Sequence, residues 1–203
     1  KPEADQWAQK LAKQLFPLYE MKDLPDDHEI YSILYKPSPH PRLRAVSNGA
    51  RLLMVHSPTD ITQYWQMRQD KSRRSLFELG INLYLYASGK SDLRNRISST
   101  YLPPPSAAGG GSVAVLRVKY PGNWDPEPVA WGRFARWFQR ETDVALNVSA
   151  VDLERLDPKL APVAHWTGTD AYTATQAQID AIHKYVEGGG VLVIDPCGGS
   201  GEF

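Results

Sequence analysis

The segment Asp195-Pro196-Cys197-Gly198-Gly199 follows an apolar run, Val191 to Ile194, and carries the chain's one cysteine. A thiol on a strand-to-helix turn projects above a sheet, and a helix N-terminus lowers its pKa, so the position suits a nucleophile. That chemistry also needs a base within hydrogen-bond reach and a third group to orient the base. His165 falls inside a predicted strand and His183 on a predicted helix, which leaves His56, at a strand end, as the partner for Cys197. The competing reading is a non-catalytic thiol, and it is favoured because it asks nothing of the neighbours. A single cysteine excludes both an internal disulfide framework and a cysteine-cluster zinc site.

Three carboxylates raise the same choice. Asp125, Asp170 and Asp195 all fall in segments that leave predicted strands, where paired carboxylates serve as acid and base or as ligands of hard cations. Local roles account for them more simply: Asp170 capping the next helix near Thr173, Asp125 organising a proline-bounded turn, and Asp195 pinning the turn after its strand. The glycines at 198, 199 and 201 offer backbone N–H groups to an anion, yet neither the Walker spacing with its lysine nor Gly-x-Gly-x-x-Gly is present. Gly188 to Gly190 sits between a helix and a strand and reads as helix termination. No cofactor and no metal is implied. Trp131 to Arg140 interleaves aromatics with arginines, but Trp131, Phe134, Ala135 and Phe138 form one stripe with the arginines mainly outside it, the pattern of a solvated helix docked on a sheet. Asn147-Val148-Ser149 is formally a glycosylation sequon inside a predicted strand and is discounted.

These groups need elements to position them. Trp7, Leu11 and Leu15, with Ala4, Ala8 and Ala12, predict an amphipathic helix from Pro2 to Phe16, ended by Pro17. His28 to Lys36 has strand composition, and Arg51 to His56 predicts a second strand entered through an Asn48-Gly49 turn. Residues 72–89 carry apolar side chains at helical spacing and end on Gly89 as a C-cap. Leu102 to Ser112 has the composition of a linker, stiff at its prolines and flexible at its glycines, and divides the chain into 1–101 and 113–203. Beyond it the pattern alternates: strand 113–119, helix 128–140, strand 145–148, strand 162–166, helix 173–187, strand 191–195. Alternation of this kind predicts an α/β fold with a doubly wound, mainly parallel sheet.

With 203 residues, 42% of them hydrophobic, the chain is long enough to bury a core. Its 23 Lys and Arg balance 23 Asp and Glu, so the bulk charge carries no nucleic-acid footprint. The longest apolar stretch, Leu76 to Ala87, is interrupted by Glu78 and Asn82 and reads as a core helix, so no membrane span is expected.

Five segments, "LRVKYPGNWDPEP", "HWTGTDAYTATQAQIDAIHKYVEGGGVLVIDPCGGS", "LPDDHEIYSILYK", "NGARLLMVHSPTDITQYWQ" and "FELGINLYLYASG", resemble the bacterial family called domain of unknown function 4159. The resemblance implies a three-layer, doubly wound α/β fold, flavodoxin-like or class I glutamine amidotransferase-like, and brings no established activity. In that family the first two segments belong to the N-terminal half and the last three to the C-terminal half, so here the order of the halves is reversed. The chain ends are expected to match: a strand and turn without a following helix at one end, a helix without a preceding strand at the other. A permuted domain or a piece of a tandem array has this form, and identical chains that complete one another's split βα units would self-associate. The amidotransferase elbow reads Gly-x-Cys-x-Gly, and around Cys197 only the second glycine is matched.

Ligands of open α/β sheets bind beyond the carboxyl ends of the strands. The expected binding edge is therefore Asn123, Trp124 and Asp125; Gly168, Thr169 and Asp170; Asp195, Gly198 and Gly199; and Ser57 with Asp60. The favoured function is a non-catalytic recognition or assembly module, with an unknown ligand or protein partner, inside a larger exported or periplasmic bacterial protein. The alternatives are a hydrolase or amidotransferase using Cys197 with His56, and a self-assembling structural protein.

Overall fold

The computed structural model describes residues 2–89, 102–103, 105–199 and 201–203. The chain divides into two compact units, Lys1–Thr100 and Tyr101–Phe203. Linker position 104 and position 200 of the glycine-rich turn lie outside the described residues.

In the first unit, α1 (Pro2–Leu15) packs against β1 (Met21–Asp23) and β3 (Leu52–His56), which flank β2 (Arg44–Ser47) in an antiparallel sheet of order β1-β2-β3. The helix turns Ala8 and Ala12 inward, while Trp7 and Leu15 stand exposed. Small side chains let a helix approach a sheet closely, so the alanine stripe and not the larger residues makes the contact. Asn48 Oδ1 accepts from Ala50 N (3.0 Å) and Arg51 N (2.9 Å), and Gly49 takes a φ of 88°, so the Asn-Gly turn before β3 forms as expected. A short helix, α2 (Ile61–Gln66), and the longer α3 (Arg74–Ser88) follow, and α3 ends on Gly89 in the left-handed conformation.

The strand expected at 28–36 is absent. Its residues form a 3-10 turn, Glu29–Tyr31, and then an irregular segment. Asn82 explains the difference. Fully buried on α3, its amide donates to Ile30 O (2.9 Å) and Tyr35 O (2.8 Å) and its carbonyl accepts from Tyr35 N (3.0 Å). One side chain thus satisfies backbone groups that a neighbouring strand would otherwise have to meet. Ile30 and Tyr31 then join Leu43, Ala45, Leu76 and Leu79 in the core.

The second unit holds β4 (Ser112–Lys119), α4 (Ala130–Thr142), β5 (Ala145–Asp152), β6 (Val163–Gly168), α5 (Gln176–Glu187) and β7 (Val191–Pro196). All pairings are parallel and the order is β5-β4-β6-β7. β5 runs four residues beyond the expected 145–148, in register with β4 to Lys119↔Asp152. Side chains alternate along a strand. Leu116, Val118 and Ala164 therefore share one face, where Ile182 and Tyr185 of α5 cover them. Arg117 and His165 share the other, where Trp131 of α4 reaches His165. Helices on both faces of a parallel sheet make this unit a three-layer α/β fold. β7 is one of the sheet's two edge strands, and Val191, Val193 and Ile194 are exposed on it.

The linker's last residues are fixed to their own unit. Gly110 N donates to Asp143 O (2.9 Å), Gly109 N to Asp143 Oδ1 (3.1 Å), and Gln139 Nε2 to Ser106 O (2.7 Å). Asp143 itself occupies the left-handed region at the end of α4.

Candidate functional site

The first crossover of the parallel sheet, β4 to β5, moves in one direction, and β6 and β7 are added on the opposite side of β4. The point of reversal lies between β4 and β6, and in open α/β sheets the ligand crevice opens there, beyond the strands' carboxyl ends. Two loops flank it: Tyr120 to Glu127 after β4, and Thr169 to Thr175 after β6.

These loops are laced together. Asn123 N donates to Asp170 Oδ2 (2.8 Å), Asn123 Nδ2 to Thr169 Oγ1 (2.8 Å), and Thr169 N to Asn123 O (3.3 Å). Between them sits Tyr120, almost fully buried, whose hydroxyl accepts from Asp170 N (3.3 Å) and faces the carbonyls of Asp170 (3.2 Å) and Asn123 (3.4 Å). Its ring rests where Gly168 has no side chain: a Cβ there would overlap the phenol oxygen. Burial raises the Tyr120 hydroxyl above its ordinary pKa, so it is a neutral donor.

Asp170 does not cap the following helix. Thr175 does, through a capping box with Gln178 that starts α5 at Gln176, three residues later than expected. Asp125 pairs with Arg117 on β4, and the Arg117 guanidinium stands 5.1 Å from the ring centre of Trp124. Asp195 meets His165 Nε2, and Trp131 Nε1 donates to His165 Nδ1 (3.1 Å). The indole can only donate, so Nδ1 is the bare nitrogen and Nε2 carries the proton toward the Asp195 carboxylate. Both ring nitrogens of His165 are thereby occupied.

Cys197 begins the turn after β7 and is partly buried. Burial raises its thiol pKa, and the charges of Glu127, Asp195 and Asp125 raise it further. Gly198 and Gly199 follow with φ of 67° and 73°, both in the left-handed region that glycine adopts freely. Phe203 lies 5.8 Å from the Tyr120 ring and 6.0 Å from Trp166.

Sequence reasoning placed Asn123, Thr169 and Asp170 on one edge, and the structure brings those three into direct contact. His56, Ser57 and Asp60 belong to the first unit, and Cys197 belongs to the second. There His56 Nε2 lies 3.2 Å from Asp5 Oδ1, Ser57 Oγ donates to Thr59 O (2.8 Å), and Asp60 caps α2 through Gln63 N (3.0 Å). Sequence reasoning did not select Tyr120, Trp166 or Tyr172, although aromatic residues in "KYPGNW", "HWTG" and "DAY", each at or just after a strand end, were a usable signal. A separate space of about 360 Å³ lies between the linker and α4, bordered by Pro103, Pro105, Arg136 and Arg140. Among the described residues, no three His, Cys, Asp or Glu side chains gather as a metal site, and no helix is long and apolar enough to cross a membrane.

Residues 113–203 match the model of a family described as a domain of unknown function (DUF4159), a match that falls within the second unit. No curated protein and no solved structure matches the chain.

Proposed function

We propose that the chain is a non-catalytic recognition module, with its binding edge at the switch point of the parallel sheet. The observation that carries this reading is the inward pairing of the edge. Asn123, Thr169, Asp170 and the Tyr120 hydroxyl hydrogen-bond one another across the two loops, leaving these groups committed to structure. Among the described residues, the histidine bonded to a carboxylate on this edge, His165, has no nitrogen left to take a proton from a nucleophile. The thiol is held in its protonated form by burial and three neighbouring carboxylates, the reverse of what activates a cysteine. On this reading the scaffold is amidotransferase-like and its elbow no longer carries out chemistry. Alkylation of Cys197 as a function of pH tests it: a thiol with a depressed pKa would contradict the proposal.

Self-association is a second reading, favoured by β7. An edge strand offers unpaired backbone groups, and this one exposes Val191, Val193 and Ile194 with no charged residue among 191–194 to oppose a second copy. A sedimentation mass that rises with concentration, and stops rising in Val193→Lys, would support it; a constant monomer mass would refute it.

A further inference from the structure

Three aromatic rings meet at the switch point. Tyr120 lies 5.2 Å from Tyr172 and 6.4 Å from Trp166, and Trp166 lies 6.2 Å from Tyr172. They come from the end of β4, the end of β6 and the loop beyond it. A fourth ring, Phe203, closes over Tyr120 and stands edge-on to Trp166 at 89°. Edge-to-face packing at this spacing is the favoured geometry for an aromatic pair. Phe203 lies a few residues beyond two left-handed glycines, Gly198 and Gly199, and it is itself only half-buried. The Trp166 indole N–H is buried and has no hydrogen-bond partner among the described residues. An unsatisfied buried donor carries a free-energy cost that a carbonyl brought beside it would remove.

We propose that Tyr120, Trp166 and Tyr172 form a binding site for an aromatic side chain carried on a peptide, and that Phe203 fills this site from within the chain. The proposal rests on the recognition reading and names its ligand class. The ring is the recognised group, since the structure already accommodates one there. The peptide carbonyl supplies the acceptor that Trp166 lacks. Phe203 then acts as an internal competitor, displaced when a partner presents a ring at higher effective concentration.

The test uses the full chain and its Phe203→Ala variant, titrated with N-acetyl-phenylalaninamide while the tryptophan indole N–H resonances are followed. Phe203→Ala is expected to bind with a dissociation constant of about 1 mM, the strength a ligand of this size attains in a good site. The unaltered chain is expected to bind at least ~10-fold more weakly, because its own ring competes. Adding Trp166→Leu to Phe203→Ala should abolish binding; if that variant loses its circular dichroism signal, Tyr172→Leu takes its place. Equal affinity for the two chains, no binding to Phe203→Ala, or a preference for tetramethylammonium over the amide would each overturn the proposal. None of these outcomes alters the reactivity of Cys197, so failure here is distinguishable from failure of the non-catalytic reading.

Discussion

Gly168 and Tyr120 occupy one space: a Cβ on Gly168 would overlap the Tyr120 hydroxyl and stand 2.7 Å from the ring carbon that bears it. The phenol sits against Gly168 at the end of β6 because residue 168 has no side chain, and from there its hydroxyl meets both switch-point loops. Gly168→Ala is expected to destabilise the second unit by ~1–3 kcal/mol, the range for overpacking a filled site. In a Tyr120→Leu background the same substitution should cost much less, since the clash is gone. Urea unfolding of the four chains measures the coupling, and additive effects would refute it.

Asn82 holds the segment that follows the first 3-10 turn. Asn82→Ala leaves two carbonyls and one N–H without their partner in the core, and about 1 kcal/mol or more for each group gives an expected loss of ~2–4 kcal/mol. Amide exchange at Tyr35 should accelerate with it. Unchanged exchange at Tyr35 would show that the segment is held by other contacts.

Asp5 links α1 to the antiparallel sheet. Hydrogen bonds from Arg44 Nη1 to both carboxylate oxygens (3.0 Å each), the Arg44 charge and the His56 charge together hold Asp5 below its ordinary pKa of 3.8, against a smaller opposing effect of burial. A depressed carboxylate stabilises the fold above its unfolded pKa, and the contribution disappears as pH falls through the folded pKa. The stability difference between the unaltered chain and Asp5→Asn should therefore be at its full size at pH 5 and shrink as pH falls below about 3.8, as urea midpoints would record. A difference that persists unchanged to pH 2 would contradict the assignment.

Much of the second unit was legible because its strands and helices alternate at distinct periods: 113–119 and 191–195 fall within β4 and β7, and 162–166 overlaps β6 from Val163. The 28–36 segment was misread because strand composition reports side chains that fit a core, not the partner of the backbone. That partner, Asn82, lies some 50 residues away and interrupts a helix stripe that otherwise reads as apolar. The edge residues Asn123, Thr169 and Asp170 were legible from their position after strands. The role of Asp170 was not, because the choice between capping α5 and binding Asn123 depends on how the two loops face each other across the sheet. Trp131 with His165 was hidden for the same reason: a helix and a strand contribute one residue each, and no local spacing records their meeting.

The central claim is tested most directly by the rate at which iodoacetamide alkylates Cys197, followed from pH 5 to 10 on the folded chain and on the same chain in denaturant. Since the chain has one cysteine, the label reports that site alone. Raised by burial and by Glu127, Asp195 and Asp125, the folded thiol should titrate above the unfolded reference of about 8.5 and react more slowly at pH 7. The same shift predicts that the folded state loses stability as pH rises from the unfolded thiol pKa through the folded one, since the unfolded chain gives up its proton first. A folded thiol that titrates well below the reference and reacts faster at neutral pH would contradict the non-catalytic reading and return Cys197 to the role of nucleophile.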